Sequence, residues 1–335
     1  MQTPHAFTQL LERLGRAQPP SLAYEPGADC AAWQARFRQA LDCLRSPLPE
    51  RPEPRVERVA QVEADDHVRQ RLEIRVSDYS TLPANLLLPK ADAPAGGRPG
   101  LLVLHGHESD IDAISGACDL DEGEKGRRAY ALSAVRAGYA VLAPSLWGWE
   151  GRDGHVERIG RRDKCNVIQM AAAMYGVNVV DLHLQDLQAS LDVLADLPGV
   201  DAARVGCLGN STGGRMTMWL SIFDGRVKAC VASGSMNTFR ERSLKLASCG
   251  LQYPFGLLRL GDVAELFCLI APRPMQLQAG ARDSLITPAD RDAMYETVRH
   301  AYGALGAAGA LDYVLHPEGH ILLWERAQAF FARHL

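Results

Sequence analysis

The segment at residues 205–216 (Val-Gly-Cys-Leu-Gly-Asn-Ser-Thr-Gly-Gly-Arg-Met) constrains the fold more than any other part of this chain. The apolar residues at its start are typical of a buried parallel strand, and apolar side chains from Met216 onward recur at helical spacing. A G-x-S-x-G pattern at residues 209–213 lies between them. This placement predicts a sharp strand-to-helix turn that exposes the Ser211 hydroxyl. The alternative is a glycine-rich turn that binds nothing.

Two later strand ends carry side chains that suit chemistry at Ser211. The strand-like residues 274–280 lead into Asp283, and a second strand at residues 311–315 is followed shortly by His320. Carboxyl ends of parallel strands meet at one edge of a sheet, and the order Ser, Asp, His is the one that a triad on such a sheet requires. The sequence therefore predicts Ser211 as nucleophile, His320 as general base and Asp283 as the residue that orients His320.

The aspartate assignment has alternatives. Asp283 is also suited to forming a turn without any catalytic role. Asp290 and Asp292 lie close by, but they follow Thr287-Pro288 and are expected to belong to the next helix.

The histidine assignment also has alternatives. His316 and His320 are spaced as two metal ligands on one helical face would be, but Pro317 and Gly319 between them favour a loop. We therefore predict no metal site at this position. His316 ends the strand, whereas His320 follows a glycine and is free to approach the serine, so His320 is preferred.

An oxyanion hole is the next requirement of acyl transfer. One donor is the backbone N–H of Thr212, at the start of the predicted helix. Residues 100–105 form an early central strand, and Gly106 after it permits the backbone to turn the N–H of His107 inward. We predict His107 and Thr212 as main-chain donors, and structural roles for the rings of His105 and His107.

With these motifs the chain resembles the serine α/β-hydrolases, in the group of bacterial esterases related to acetyl xylan esterases and dienelactone hydrolases. The resemblance spans roughly residues 55–335 and is carried by residues 104–107, 143–144, 181–206, 209–213 and 269–283. Dienelactone hydrolases proper use cysteine where this chain has Ser211, so the resemblance is closer to the ester-cleaving members. Residues 147–149, Trp-Gly-Trp, depart from the Gly-Phe-Gly type of turn common in those relatives.

The resemblance implies hydrolysis of a carboxylic ester, with a small acyl group such as acetyl, through an acyl-enzyme and with no cofactor. A thioesterase, acyltransferase, peptidase or C–C hydrolase would use the same triad, because a fold does not fix the substrate. From a different class, the chain could be a catalytically silent binding module. A small-molecule ester is the expected partner, and the oligomeric state is left open.

The order of patterns predicts an α/β fold, with a mostly parallel sheet flanked by helices and an N-terminal helical extension. Residues 1–54 form the extension and a proline-rich linker, with helices near 6–16 and 30–45, and residues 55–335 form the catalytic domain. Segments 56–90 suggest antiparallel edge strands. Residues 145–174 and 235–263 follow strand ends and are expected to form walls or a partial lid of the site. Their aromatic side chains are the candidate pocket residues, namely Trp147, Trp149, Tyr253 and Phe255.

Composition narrows the classes further. A formal net charge of −4 gives no basic footprint for nucleic acid, and no run of 18 apolar residues predicts a membrane span. The first 30 residues lack the uninterrupted apolar region of a secretory signal. The eight cysteines show no C-x-x-C spacing, and those at 207, 230 and 268 fall in apolar runs as reduced core residues do. These features favour a cytoplasmic protein that binds neither nucleic acid nor membranes.

Overall fold

A computed structural model describes residues 6–119, 121–153, 163–244 and 249–335. Its centre is a nine-stranded sheet of order β1-β2-β3-β5-β4-β6-β7-β8-β9. The strands are β1 Arg55–Glu63, β2 His67–Arg75, β3 Thr81–Pro89, β4 Arg98–Leu104, β5 Ala140–Pro144, β6 Val200–Asn210, β7 Val227–Ser233, β8 Met275–Gly280 and β9 Leu311–His316.

The sheet has an antiparallel edge and a parallel centre. β1, β2 and β3 pair antiparallel, as predicted for residues 56–90, and β3 also pairs antiparallel with β5. From β5 through β4, β6, β7 and β8 to β9 all neighbours are parallel. Every residue of β1 is exposed, whereas β5 and β8 are buried throughout, because helices cover both faces of the parallel part.

Helices and short 3₁₀ turns connect and cover the strands. The helices described are Ala6–Ala17, Cys30–Asp42, Ile111–Ile114, Glu122–Arg128, Tyr130–Arg136, Lys164–Ala173, Val179–Ala195, Thr212–Phe223, Phe239–Leu244, Val263–Cys268, Pro288–Ala304 and Trp324–His334. The 3₁₀ turns are Gly250–Gln252, Leu257–Arg259 and Ala308–Ala310. Within the described ranges, no helix is both long and apolar enough to cross a membrane.

Two hydrophobic cores lie against the sheet. The smaller core includes side chains of the helices Tyr130–Arg136 and Trp324–His334. The larger includes side chains of the helices Val179–Ala195, Thr212–Phe223 and Pro288–Ala304. Cys207, Cys230 and Cys268 are buried free thiols, as the sequence predicts.

The two N-terminal helices form close to their predicted positions but differ in packing. Helix Ala6–Ala17 has no buried residue. Helix Cys30–Asp42 buries Phe37 and Leu41 completely in the larger core, and Gln34 donates hydrogen bonds to the carbonyls of Cys268 and Ala271. The second helix is therefore built into the main core.

Candidate active site

Ser211 occupies the turn between β6 and the helix Thr212–Phe223, as predicted. Its backbone has φ 59° and ψ −118°, a left-handed conformation that is strained for a non-glycine residue. The N–H of Ser211 donates a 2.9 Å hydrogen bond to the carbonyl of Ser233 at the end of β7. The turn is thus held from the neighbouring strand, and Ser211 lies at the carboxyl edge of the sheet.

The glycines around Ser211 are required by close backbone approach. A Cβ atom on Gly209 would overlap the backbone of Gly213, and one on Gly213 would overlap the carbonyl oxygen of Leu104. Helix and strands therefore approach each other only because these positions lack side chains. Close backbone approach therefore explains the glycines at both ends of the G-x-S-x-G pattern, as the position of the pattern between a strand and a helix predicts.

His320 and Asp283 form a hydrogen-bonded pair. Nδ1 of His320 lies 2.6 Å from Oδ2 of Asp283, whose side chain is buried, and the other Asp283 oxygen accepts from the N–H of Leu285 at 2.9 Å. Nε2 of His320 is buried and has no hydrogen-bond partner among the described residues. An imidazole held at Nδ1 by a carboxylate, with Nε2 unpaired, is arranged to accept a proton there.

The loop that carries His320 packs tightly on the loop that carries Asp283. The N–H of Ala281 donates to the carbonyl of His316 at 2.7 Å, and the N–H of Arg282 donates to the carbonyl of Glu318 at 3.1 Å. A Cβ atom on Gly280 would overlap the carbonyl oxygen of Gly319. The pairing of Asp283 with His320 is therefore fixed by backbone contacts.

His316 differs from His320 in its surroundings. It is buried at the end of β9, and burial lowers the pKa of its imidazole below the ordinary value. Among the described residues that line the cavity at Ser211, His320 is present and His316 is not. Asp290 and Asp292 belong to the helix Pro288–Ala304, as expected.

The two predicted oxyanion donors lie on segments that meet at Ser211. Thr212 is the first residue of its helix, so its N–H has no intrahelical acceptor. A Cβ atom built on Gly106 would lie 3.4 Å from Cβ of Ser211, which places the loop carrying His107 directly against the turn. Both residues line the same cavity as Ser211 and His320.

His105 has the structural role that the sequence predicted. Its ring is fully buried, Nδ1 lies 2.9 Å from the carbonyl oxygen of Gly106, and Nε2 accepts from the N–H of Leu146 at 3.1 Å. Burial lowers the pKa of His105 to about 4. The ring is therefore neutral at pH 7 and links the loop after β4 to the loop after β5.

A cavity of about 760 Å³ opens over Ser211. Its wall includes Arg242, which is partly buried and has no ion-pair partner among the described residues. Charged residues on the wall are Arg127, Arg128, Arg242, Glu108 and Asp163, and the uncharged ones include Tyr130, Gln252, Leu285, Ile321 and Leu322. The arginines and Gln252 were not singled out from the sequence, since nothing local distinguishes them from surface residues.

The predicted pocket residues Trp147, Trp149, Tyr253 and Phe255 are absent from the described part of the cavity wall, and their role in substrate binding stays a prediction. Trp149 is buried behind the site, edge-on to the rings of His105 and His107 at 4.9 and 5.5 Å between centroids.

The other three aromatic side chains are placed by packing elsewhere. The Trp147 ring stacks under the guanidinium of Arg152 at 4.2 Å, and the Tyr253 ring contacts the ring of Phe239 at 5.0 Å. Phe255 is 51% exposed. The prediction relied on position after a strand, which does not determine where a side chain points.

The two predicted wall segments do supply cavity residues. Asp163 comes from the segment 145–174, and Arg242, Cys249 and Gln252 come from the segment 235–263. Gln252 donates a 2.9 Å hydrogen bond to Oγ1 of Thr212, so this wall reaches the predicted oxyanion hole. Parts of both segments, 154–162 and 245–248, lie outside the described residues, and the partial lid stays a prediction.

Comparison with known proteins agrees with this architecture. Residues 124–244 match the dienelactone hydrolase family. The Bacillus subtilis (strain 168) protein "Putative hydrolase YtaP" is 28% identical over 293 residues, which cover 86% of this chain and 94% of that protein.

The fold also occurs in solved structures of other proteins. The "putative acetyl xylan esterase" of Bacteroides fragilis NCTC 9343 has a TM-score of 0.77 at 16% identity, covering 94% of this chain and 83% of that one. A glucuronoyl esterase from Solibacter usitatus has a TM-score of 0.67 at 16% identity, covering 94% and 96%. The predicted α/β-hydrolase fold is thereby confirmed.

Proposed function

From an α/β-hydrolase fold with a dienelactone hydrolase family match at residues 124–244, we propose that this protein is a carboxylic ester hydrolase with a Ser211–His320–Asp283 triad. One observation carries the proposal. A serine in strained left-handed backbone geometry and a histidine paired to a buried aspartate at 2.6 Å open into one cavity. Strain at a turn persists only where the surroundings impose it, and it is common at catalytic residues.

The first half of the reaction forms an acyl-enzyme. Oγ of Ser211 attacks the ester carbonyl carbon while its proton passes to Nε2 of His320, and the carbonyl electron pair moves onto oxygen. The N–H groups of Thr212 and His107 donate to this oxyanion. As the tetrahedral intermediate collapses, the bond to the alkoxy oxygen breaks, and His320 gives its proton to the departing alcohol.

The second half repeats these roles with water. His320 takes a proton from water as its oxygen attacks the acyl carbon, and the same N–H groups hold the second oxyanion. The bond to Ser211 then breaks, the serine regains a proton from His320, and the free acid departs. Asp283 keeps Nδ1 of His320 protonated and stabilises the imidazolium that forms in each half.

The arginines on the cavity wall suit a substrate ester that carries a negatively charged group near the scissile bond. Arg242 is partly buried, faces this cavity and has no ion pair among the described residues, and Arg127 and Arg128 lie on the same wall. Glu241 and Asp283 act on this guanidinium at longer range, and its N–H groups, which form no ion pair among the described residues, are donors suited to a carboxylate or phosphate. We therefore propose an anionic ester as the substrate class, with acetyl as one candidate acyl group.

A substrate panel tests the proposal. Purified protein is assayed on p-nitrophenyl esters of graded acyl length, acetylated sugars, an ester carrying a free carboxylate, a matched thioester and a matched anilide. We expect kcat/KM to be highest for the carboxylate-bearing ester and the anilide to react least. Hydrolysis of the anilide or the thioester in preference to every ester would contradict the proposal. Added alcohol that accepted the acyl group ahead of water would instead indicate an acyltransferase.

A further inference from the structure

Three side chains of the types that bind metal ions meet beside the cavity, although they come from separate parts of the chain. His107 lies in the loop after β4, Cys165 near the start of the helix Lys164–Ala173, and Cys249 directly before the 3₁₀ turn Gly250–Gln252. One ligand atom from each lies within 4.8 Å of the other two. Nδ1 of His107 is 3.8 Å from Sγ of Cys165.

We propose that His107, Cys165 and Cys249 bind one Zn²⁺ ion. Imidazole nitrogen and thiolate sulfur are the ligands that zinc prefers. Zinc–sulfur and zinc–nitrogen distances of about 2.3 and 2.0–2.1 Å place tetrahedral ligands about 3.6 Å (N to S) and about 3.8 Å (S to S) apart. The 3.8 Å between His107 and Cys165 is already close to the first of these spacings.

The burial of the three side chains suits a metal site that is open to solvent on one side. Cys165 is fully buried and Cys249 is 6% exposed, while the His107 side chain is 31% exposed. His107 and Cys249 line the cavity, so an ion has access from solvent and a fourth position for water or a small anion. Two thiols lose their protons to solvent on binding, and the two thiolates balance the charge of the ion.

The two ring nitrogens of His107 have different surroundings. Nδ1 lies 3.8 Å from Sγ of Cys165, whereas Nε2 lies 3.9 Å from a carboxylate oxygen of the exposed Glu108, which is beyond hydrogen-bond length. With Nδ1 on the metal, Nε2 is left to donate to solvent or to a nearby acceptor, as in other metal-binding histidines. Cys207, by contrast, has its thiol 3.4 Å from the Thr217 hydroxyl, in the protein core.

Bound zinc would join three segments around the catalytic cavity. It would link the loop that presents the His107 N–H to the helix Lys164–Ala173 and to the turn whose Gln252 contacts Thr212. The zinc site would therefore hold in place the loop after β4, which carries the His107 N–H. It is independent of the role of Ser211, since none of the three ligands is a triad member.

Cobalt substitution tests the site directly. Full-length protein is reduced, treated with chelator and titrated with Co²⁺, with free thiols counted beforehand so that oxidation of Cys165 and Cys249 is seen. We expect one equivalent of Co²⁺ to produce sulfur-to-cobalt charge-transfer absorption together with the visible bands of tetrahedral cobalt. One equivalent of Zn²⁺ should remove both, and it should raise the melting temperature of the reduced protein.

Single substitutions then assign the ligands. Cys165→Ser and Cys249→Ser should each weaken Co²⁺ binding by more than about a hundredfold, because even outer partners of a metal site are worth roughly 10–100-fold. Cys43→Ser is the matched control, since Cys43 is an exposed free thiol outside the cluster, and it should bind like wild type. Absence of the charge-transfer band in reduced wild type overturns the proposal, as does an undiminished band in either Cys165→Ser or Cys249→Ser.

Discussion

The two sides of the cavity are built in different ways. The proposed catalytic side, formed by Ser211, Asp283 and His320, follows three strands in the parallel part of the sheet, just beyond their carboxyl ends. The wall side, formed by His107, Arg242 and Cys249, with Cys165 in contact with His107, is brought together by loops and helices that approach from distant positions in the chain. Strand register fixes the first side, whereas only tertiary packing fixes the second.

Because the two sides are held in place differently, we expect substitutions on them to have different effects. On the proposed catalytic side, backbone hydrogen bonds such as that from the Ser211 N–H to the carbonyl of Ser233 hold the turn in place. On the wall side, side chains meet only if several segments pack correctly. We expect substitutions on the catalytic side to change the rate of the chemical step and those on the wall side to change binding.

The largest effect is expected for Ser211→Ala. In a serine hydrolase of known kinetics, loss of the nucleophile lowered turnover by about a million-fold. We expect a similar loss of kcat on an activated ester with an unchanged melting temperature. Ser109→Ala is the matched control, since Ser109 is a serine on the same cavity wall outside the turn. The assignment fails if Ser211→Ala retains more than about a thousandth of wild-type kcat.

The next effect separates the two histidines near β9. His320→Ala should lower kcat/KM by roughly 10³–10⁴-fold, because proton transfer by a positioned side chain is worth about that much. His316 lies at the strand end outside the described cavity wall, so His316→Ala should act on stability and leave kcat per folded molecule within about tenfold of wild type. Equal losses in the two variants would show that His320 has no special role.

The sequence predicted the residues of the proposed catalytic side but not those of the wall side. Ser211, Asp283 and His320 were identified because each follows a strand signal and their chain order restricts the arrangement. His107, Cys165 and Cys249 show no local spacing typical of metal ligands, so their proximity is visible only in the folded chain. Trp149 is predicted in the pocket from its position after a strand, but its ring packs edge-on against His105, a contact that the sequence does not reveal.

A smaller effect on the wall side is expected for Arg242→Ala. If Arg242 binds an anionic group of the substrate, kcat/KM for a carboxylate-bearing ester should fall by roughly 10–100-fold, since a hydrogen bond to a charged group is worth about 1.5–3 kcal/mol. The neutral ester of the same size should be hydrolysed at nearly the wild-type rate. Arg36→Ala, at an exposed position on the helix Cys30–Asp42, provides the matched control. Equal losses on both esters would argue that Arg242 is structural.

The smallest effect is the contribution of His105, in the loop after β4, to the pH dependence of stability. Its folded-state pKa of about 4 lies below the ordinary value of 6.5, so protons bind the unfolded chain more tightly. Stability from this residue is present above about pH 6.5 and is lost as pH falls toward about 4. Between pH 7 and pH 5.5 the loss should be about 1 kcal/mol.

Denaturant unfolding of wild type and His105→Gln at both pH values measures this contribution. We expect the free energy of unfolding of wild type to fall by about 1 kcal/mol more than that of the variant over this interval. The comparison uses the change with pH in each protein, so an overall loss of stability in the variant does not affect it. Parallel pH dependence in the two proteins would show that His105 is not buried as a neutral ring.

Labelling with a fluorophosphonate followed by mass spectrometry tests directly whether Ser211 is an activated nucleophile. Such a probe forms a bond from Oγ of an activated serine to phosphorus and releases fluoride. We predict one adduct per chain, located by peptide mapping at Ser211, with labelling lost in Ser211→Ala and strongly slowed in His320→Ala. An unlabelled wild-type protein, or an adduct at any other residue, would contradict the account.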